Sequence, residues 1–429
     1  MKMGELKDLK RKLTYAEYEA LMSIPEYDMI SKKFDHYDSL QKNGNYWIMM
    51  FEDGTKLRFT DEEEFIPEWP ECIDVTISNR CNMGCQFCYA DCKPTGTDVD
   101  ILGFYNMFRG LPDGTEIAIN VNDVNNIYLF DFIDSDSVSN LCINATINGQ
   151  YLLGEANRFQ EIAGISVTEA ANNIHNMVPS PVDWKDYAVL DFINRFFSHK
   201  IKGLGISWTS ANDTEFKYLM DLFSGFPGLK SRIVFHTIAG VTDANVLDSL
   251  ISRGFNVLIL GYKAQGRGEE YISQHREIKS RIDYLQSYLI DKIGKHSCTS
   301  NIALDGLAIK QLNVKSWIGE DKYDKCYAGD EGEFTFYLDL VNGTYNISSI
   351  SKLPSRRIPG SCSSEYIKQM FEDVRQWRLE QQVGAMINDG LSELADGETL
   401  NHRIGEVEAC IMHLQKALDR LKEELKKGK

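Results

Sequence analysis

The sequence has no apolar run approaching the ~20 residues that a helix needs to cross a bilayer, and no charged-then-apolar segment at its N-terminus. We therefore expect a cytoplasmic protein with no membrane association. Positive charge is also scarce, because 46 Lys and Arg residues stand against 63 Asp and Glu residues, a net charge of −17. This balance argues against nonspecific binding of nucleic acid.

Cysteine is too sparse for a disulfide scaffold, with ten residues in a chain of 429. Three of them nevertheless fall in one short stretch, Arg80-Cys-Asn-Met-Gly-Cys-Gln-Phe-Cys-Tyr89. Random placement of ten cysteines would give ~0.005 runs with this spacing. Zinc sites and ferredoxin runs use four ligands, whereas Cys81, Cys85 and Cys88 are three. A four-iron cluster bound here would keep one iron without a protein ligand.

The Cys-x3-Cys-x2-Cys spacing, with Phe87 before the last cysteine, resembles the signature of the radical S-adenosylmethionine (radical SAM) superfamily. The resemblance implies a [4Fe-4S] cluster on Cys81, Cys85 and Cys88, with S-adenosylmethionine (SAM) chelating the open iron. It also implies a reductant such as flavodoxin or ferredoxin. The transferred electron would split SAM into methionine and a 5′-deoxyadenosyl radical that abstracts hydrogen from substrate. The alternative is a zinc-binding or redox loop.

Apolar β-rich runs alternate with longer segments from residue 71 onwards. The runs are Cys72–Ser78, Glu116–Val121, Asn140–Ile147, Gly203–Trp208, Arg232–Ile238, Phe255–Leu260 and Asn301–Ile309. Helical patterns lie between them at Asp183–Phe197, Thr214–Phe223 and Ala244–Ile251. This alternation predicts an α/β fold with a parallel sheet. The resemblance implies a partial (β/α)6 barrel over residues 71–315, with the reacting groups at the carboxyl ends of the strands.

Three further segments flank this core. Residues 1–70 are predicted as an extension, helical over 1–45 and followed by a hairpin around Glu52-Asp-Gly-Thr55. We interpret it as a packing cap on one end of the barrel, with binding of a leader peptide or partner as the alternative. Residues 316–362 contain a second hairpin around Asn342-Gly343, and residues 363–429 are predicted as helices.

The last segment carries a heptad seam of apolar residues, which are Ile404, Val407, Ile411, Leu414, Leu418, Leu421 and Leu425. A coiled-coil dimer or partner dock and a helix folded back on its own body fit this pattern equally. Peptide-modifying radical SAM enzymes carry extensions with auxiliary clusters, and the opening at Cys326 is faintly similar. Cys298 and Cys362 lie too far from Cys326 along the chain to form an auxiliary cluster with it, so we favour a hairpin without a cluster.

Cofactor-binding candidates lie at strand ends. The superfamily has a Gly-Gly-Glu-like element after its second strand, which contacts the SAM amino group. Here the same place reads Ile119-Asn-Val-Asn-Asp123, so the resemblance makes Asn120 and Asn122, with Asp123, the residues that would contact SAM. Asparagine is a departure from the family, because it restricts a backbone that glycine would leave free.

Polar residues alternate along the third core strand, where Asn144, Thr146 and Asn148 share one face. A central parallel strand is covered by helices, so we interpret this face as pointing into the barrel. Ser207 and Thr209 follow the same reasoning. His236 does too, although a lone histidine after an apolar run is typical of a satisfied core residue.

The stretch Gly261-Tyr-Lys-Ala-Gln-Gly-Arg-Gly268 follows an apolar strand and combines three glycines with two cations. It lacks the Gly-Lys-Ser/Thr sequence of a P-loop. We expect Lys263 or Arg267 to pair with a carboxylate of SAM or of the substrate, and the alternative is a mobile surface turn.

These patterns favour a radical SAM enzyme that acts on an unidentified substrate. A peptide or protein is preferred over a nucleoside or small metabolite because of the acidic balance, the Cys88-Tyr89 ending and the Cys326 segment. The missing glycine element motivates an alternative, in which the chain is a non-enzymatic iron–sulfur protein that transfers electrons or has a structural role. A family member that acts only as a binding partner through its C-terminal helix is a third reading.

Overall fold

The computed structural model describes residues 37–51, 56–60, 62–122, 127–154, 189–191, 193–194, 196–197, 201–210, 214–294, 301–360, 363–393 and 412. Contacts divide the chain into two units, Met1–Met370 and Phe371–Lys429. The predicted helices within residues 1–36, the residue Asp123 and all residues of the heptad seam lie outside the described residues. Met412, which is described, is helical. No helix in these ranges has the length and apolar character needed to cross a membrane.

The first described element is a three-stranded antiparallel sheet of β1 (Tyr37–Asn43), β2 (Tyr46–Phe51) and β3 (Lys56–Phe59). The pairing of β2 with β3 confirms the predicted hairpin, whose turn lies outside the described residues. The helical prediction for residues 1–45 is wrong over β1, which pairs antiparallel with β2 across a turn at Gly44 and Asn45. Pairing with a neighbouring strand outweighs a weak local preference for helix.

A second sheet contains ten strands in the described part of the chain. These are β4 (Cys72–Thr76), β5 (Glu116–Asn120), β6 (Cys142–Asn148), β7 (Gly203–Ser207), β8 (Ile233–Ile238), β9 (Asn256–Leu260), β10 (Ile302–Leu304), β11 (Thr335–Asp339), β12 (Thr344–Asn346) and β13 (Arg356–Arg357). Their order is β10-β9-β8-β7-β6-β5-β4-β11-β12-β13. Strands β4 to β10 are parallel and adjacent in chain order. The predicted α/β class with a parallel sheet is confirmed.

The helices of the described ranges lie mostly between these strands. They are α1 (Tyr105–Phe108), α2 (Ile127–Asp134), α3 (Thr214–Ser224), α4 (Pro227–Lys230), α5 (Ala244–Ser252), α6 (Arg267–Gln274), α7 (Glu277–Gly294), α8 (Gly306–Gln311), α9 (Val314–Ile318), α10 (Glu320–Cys326) and α11 (Glu365–Glu393). Helix α5 begins after Asp243, whose carboxylate accepts a hydrogen bond from the Asn245 backbone and caps the helix. Of the predicted helix Asp183–Phe197, the described residues from 189 onwards are helical.

Strand residues alternate between an apolar face and a polar face. Residues such as Ile73, Ile117, Ile143 and Phe235 are buried on the apolar face. Phe235 packs against Phe216 of α3, with ring centroids 6.1 Å apart. The apolar face is therefore the face that the helices cover, as the two-residue period of a strand allows.

Two elements near the end of the core differ from the sequence prediction: one strand is shorter than predicted, and one hairpin joins the main sheet. The predicted run Asn301–Ile309 is a strand only over β10, because the Asp305 side chain accepts a hydrogen bond from Ala308 N and starts α8. The predicted hairpin around Asn342-Gly343 is present as β11 and β12. Strand β11 also pairs in parallel with β4, so this hairpin extends the main sheet.

The N-terminal hairpin is anchored to the core by a buried ion pair. Arg58 of β3 donates two hydrogen bonds, of 2.6 and 2.9 Å, to the carboxylate of Glu71, which precedes β4. The Tyr46 hydroxyl donates a third, of 2.7 Å. A buried carboxylate with three donors is satisfied, and losing one cationic partner leaves a charge without compensation.

We expect Arg58→Ala to lower the free energy of unfolding by about 3–5 kcal/mol, since the Glu71 carboxylate would stay buried without its cation. Urea denaturation followed by circular dichroism measures this change. Arg357→Ala is the matched control, because Arg357 is exposed on β13. Equal effects of the two substitutions would contradict the anchoring role of Arg58.

Candidate functional site

The polar face of the parallel strands lines one cavity with a volume of about 1220 Å³. Strands β4 to β9 and β11 all contribute to its wall. Their contributions include Asp74, Thr76, Asn120, Asn144, Thr146, Ser207, His236 and Tyr337. Alternate residues of several strands thus face a single cavity. The cavity is large enough for a cofactor together with a small substrate.

Cys81, Cys85 and Cys88 lie at the carboxyl end of β4 and line this cavity. The base of their loop is closed by hydrogen bonds from Cys81 N to Lys93 O, at 3.0 Å, and from Lys93 N to Asn79 O, at 3.1 Å. All three thiols are free and half-buried. The loop therefore presents its cysteines to the same space as the polar strand residues.

The glycine-rich turn packs directly against the cysteine loop. Gly266 has a φ of +53°, and a Cβ there would lie 2.5 Å from the carbonyl oxygen of Tyr89. A Cβ on Gly268 would lie 3.3 Å from the carbonyl oxygen of Phe87. Glycine is required at 266 because both the backbone conformation and the close approach exclude a side chain. The two most informative stretches of the sequence form one structural unit.

Arg267 joins the two stretches through its hydrogen bonds. Its side chain donates from Nε to Cys85 O at 2.9 Å, and from Nη1 to Cys92 O at 3.0 Å and to Asp91 at 2.8 Å. Its backbone N–H donates to Cys88 O at 3.1 Å. The carboxylate that Arg267 contacts is thus Asp91 of the loop itself. The arrangement makes Arg267 a brace of the cysteine loop.

Lys263 lies on the cavity wall. Its Nζ donates to Ser349 Oγ at 3.1 Å and lies 4.2 Å from the centre of the Tyr89 ring. Burial opposes the charge of Lys263, but Tyr89, Asp305 and Asp74 nearby raise its pKa above the usual value. A lysine that stays protonated in a cavity can bind a carboxylate, so the sequence expectation for Lys263 stands as a prediction.

Asn120 and Asn122 both line the cavity near the cysteine loop. The Asn122 side chain donates from Nδ2 to Ser78 O at 3.0 Å and to Cys92 Sγ at 3.7 Å. It therefore holds the end of β5 against the start of the loop. The Asn122 side chain thus braces the cysteine loop.

Other predicted strand residues also line the cavity. Asn144 donates to Glu116 Oε1 at 2.8 Å, and Asn148 accepts hydrogen bonds from two backbone amides that follow it. Thr146 and His236 both lie against Gly205, where a Cβ would meet them at 2.8 and 2.6 Å. Burial lowers the pKa of His236 to about 4, so its imidazole is neutral at pH 7.

The amino end of the cavity contains charged residues that no motif indicates. Lys56 of β3 forms a 2.9 Å ion pair with Glu116 of β5. Burial opposes both charges, but their attraction raises the pKa of Lys56 and lowers the pKa of Glu116. The hairpin thus contributes a side chain to the cavity wall, which agrees with a packing cap.

Asp74 lies in the middle of β4 and faces the cavity without any motif around it. Burial raises its pKa to about 6, with Lys263 lowering it and Glu116 and Glu331 adding to the rise. The signal in the sequence is an acidic residue that alternates with Cys72 and Thr76 along an apolar strand.

The thiols of the loop differ in acidity. The side-chain hydrogen bond with Cys92 lowers the pKa of Cys88 to about 6. Burial, together with the charges of Cys88 and Cys81, raises the pKa of Cys85. Cys88 is therefore a stronger acid than Cys85.

No three or more His, Cys, Asp or Glu side chains of the described residues are grouped to hold one metal ion. A four-iron cluster spreads its thiolate ligands over different irons, so its cysteines need not meet at one point. Three free thiols in one loop beside a polar cavity could hold such a cluster. The loop lacks the fourth ligand of a structural zinc site unless Cys92 supplies it.

Gly266→Ala is expected to destabilise the chain more than Gly84→Ala. Both glycines have positive φ, but a Cβ at Gly84 meets nothing within 4 Å, whereas at Gly266 it meets a backbone carbonyl. Gly84→Ala should therefore cost only the strain of about 1–2 kcal/mol. Thermal denaturation of the cluster-free variants measures the difference, and equal melting temperatures would contradict the packing of turn on loop.

Alkylation of the cluster-free chain by iodoacetamide should reach half its maximal rate at Cys88 near pH 6, since only the thiolate reacts. Cys85, whose pKa is raised, should react only at alkaline pH. Peptide mass spectrometry across a pH series resolves the two sites. In Cys92→Ala the profile of Cys88 should move to higher pH, and an unchanged profile would exclude the hydrogen bond as its cause.

The site is a polar cavity lined in part by a braced loop of cysteines. Its residues come from strands β2 to β9, β11 and β12, from the cysteine loop and from the turn after β9. No family model matches the chain, and no curated protein matches it.

Proposed function

We propose that the protein is a radical SAM enzyme that binds a [4Fe-4S] cluster through Cys81, Cys85 and Cys88. The observation that carries the proposal is the position of these thiols, at the carboxyl end of β4 and on the wall of a cavity of about 1220 Å³. Proteins built on parallel sheets bind their ligands at the carboxyl ends of the strands. Bound there, the cluster and SAM would supply reductive cleavage of SAM and a radical that abstracts hydrogen from substrate.

A partial (β/α) barrel is the fold that we propose for this sheet. Strands β4 to β10 follow one another as parallel neighbours, which places all right-handed crossovers on the same face. The opposite face of β4 to β9 borders a single cavity, as expected of a sheet that curves around its own interior. The predicted six-strand core corresponds to β4–β9.

The residues of the chain have distinct tasks in this proposal. Arg267 and Gly266 fix the backbone of the cysteine loop, which positions the thiols before a cluster binds. Lys263 offers an ammonium group to a carboxylate of SAM or of the substrate. Thr146, Asn144 and Asn120 present polar atoms that would orient the bound molecules.

The asparagines after β5 are compatible with SAM binding. The contact expected at this place is made by a backbone carbonyl, and Asn122 turns its side chain towards Ser78 and Cys92. Asn120 is exposed to the cavity. The Asn120 side chain therefore remains available to a ligand.

The substrate that we propose is a peptide or protein segment, with a nucleoside or small metabolite as the alternative. The cavity exceeds the volume of common single-ligand pockets, which leaves room for a substrate beside SAM. Excess acidic charge disfavours a polyanion as substrate.

Anaerobic reconstitution with iron and sulfide, followed by dithionite reduction with SAM, tests the proposal. We expect chromatography to detect 5′-deoxyadenosine with the wild-type chain and none with Cys85→Ala, because one iron would lose its protein ligand. Cys410→Ala, a cysteine outside the loop, is the matched control and should retain activity.

A cluster that forms without SAM cleavage would contradict the enzymatic proposal and favour a non-enzymatic iron–sulfur protein. Iron bound without sulfide, at one metal per chain, would instead favour a mononuclear site in the loop.

A further inference from the structure

Asp74 is a carboxylate whose surroundings within the described residues provide no hydrogen-bond donor. On β4 it pairs in register with Ala118 of β5 and with Tyr337 of β11. Alanine has no polar side-chain atom, and the Tyr337 hydroxyl donates to Thr76 Oγ1 at 2.8 Å instead. The Asp74 side chain is exposed, and it lines the cavity, so open space lies in front of it.

The carboxylates near Asp74 differ in how they are satisfied. Asp305 accepts from the backbone amides of Gly261 and Ala308, and Asp339 accepts from Asn342. Glu331, like Asp74, lines the cavity. No hydrogen bond or ion pair of Glu331 is found among the described residues.

Positive charge does not balance this part of the wall. Lys263 is the cation whose field acts on Asp74, while the carboxylates of Glu116, Glu331 and Asp305 act in the opposite direction. The Lys263 ammonium is already held by Ser349 and by the Tyr89 ring. The Asp74 carboxylate, exposed to the cavity, can therefore form a charge-assisted hydrogen bond with an incoming cation.

We propose that Asp74, assisted by Glu331, binds a protonated amine of the substrate inside the cavity. This inference deepens the proposed function, on which it rests for the view that the cavity holds a substrate. It narrows the substrate to a molecule with a primary amine, either a lysine side chain of a peptide or a free aliphatic amine.

An organic cation suits this pocket better than a metal ion. The described residues contain no group of three or more His, Cys, Asp or Glu side chains arranged around one metal position. A single ammonium group needs only one or two acceptors, and it forms charge-assisted hydrogen bonds with them.

The depth of Asp74 separates this pocket from the cysteine loop. Ser78, near the start of the cysteine loop, lies four residue steps after Asp74, which corresponds to about 13 Å of extended chain. An amine at Asp74 would thus lie well inside the cavity, while the cysteines line its carboxyl end. Both ends of the cavity can therefore be filled at the same time.

Isothermal titration calorimetry with two amine probes tests this site, on the reconstituted protein and on the cluster-free chain. The probes are 1,5-diaminopentane and the capped tripeptide acetyl-Gly-Lys-Gly-amide, with 1,5-pentanediol as the uncharged comparison. We expect at least one amine to bind and the diol not to bind. Asp74→Asn should raise the Kd of the amine by ~10-fold or more, since the ammonium group loses its charged acceptor.

Glu372→Gln is the matched control, because it removes one negative charge at an exposed position of α11. Its Kd should equal that of the wild type. Glu331→Gln is a second variant that weakens binding if Asp74→Asn fails to fold, which circular dichroism detects. Tighter binding of the tripeptide than of the diamine identifies a lysine side chain as the source, and the reverse identifies a free amine.

The proposal is overturned if neither amine binds the wild type, if Asp74→Asn binds as well as the wild type, or if Glu372→Gln weakens binding equally. Amine binding that persists in a chain without SAM cleavage would contradict the proposed enzyme but support the amine site. SAM cleavage without amine binding would do the reverse.

Discussion

The two-residue period of the parallel strands is the constraint on which the rest of the structure depends. Every second residue of a strand must be apolar, because residues such as Ile73, Ile117 and Phe235 pack beneath the helices. The residues between them are free of that requirement and face a cavity. Packing therefore permits polar and charged residues deep inside the protein, at positions such as Asp74 and Asn144, without disturbing the core.

The cysteine loop depends on a second contact, made by backbone atoms. It has little regular structure, and its shape is maintained by carbonyl groups that contact Gly266 and accept hydrogen bonds from Arg267. Glycine lets the chain after β9 approach the chain after β4 more closely than any other residue would. The end of the sheet and the loop are consequently held as one unit, with the thiols turned to the cavity.

Charge is distributed unevenly along the cavity. At the amino end, Lys56 neutralises Glu116 in a direct ion pair. Further inside, Asp74 has no such partner and its pKa is raised to about 6 by burial. Glu116 is paired with Lys56, whereas Asp74 faces open space in the cavity, and the proposed amine site rests on this contrast.

The sequence by itself determined the elements whose signals are local. Apolar β-rich runs indicated β4 to β9, the Asp-Gly and Asn-Gly turns indicated two hairpins, and the cysteine spacing indicated the loop. Only the tertiary structure decided that residues 37–43 form a strand, because that strand depends on pairing with β2. It also decided the partners of Arg267, which lie more than 170 residues earlier in the chain. Contacts between such distant residues leave no local pattern, so folding alone brings Asp74, Lys263 and the cysteines to one cavity.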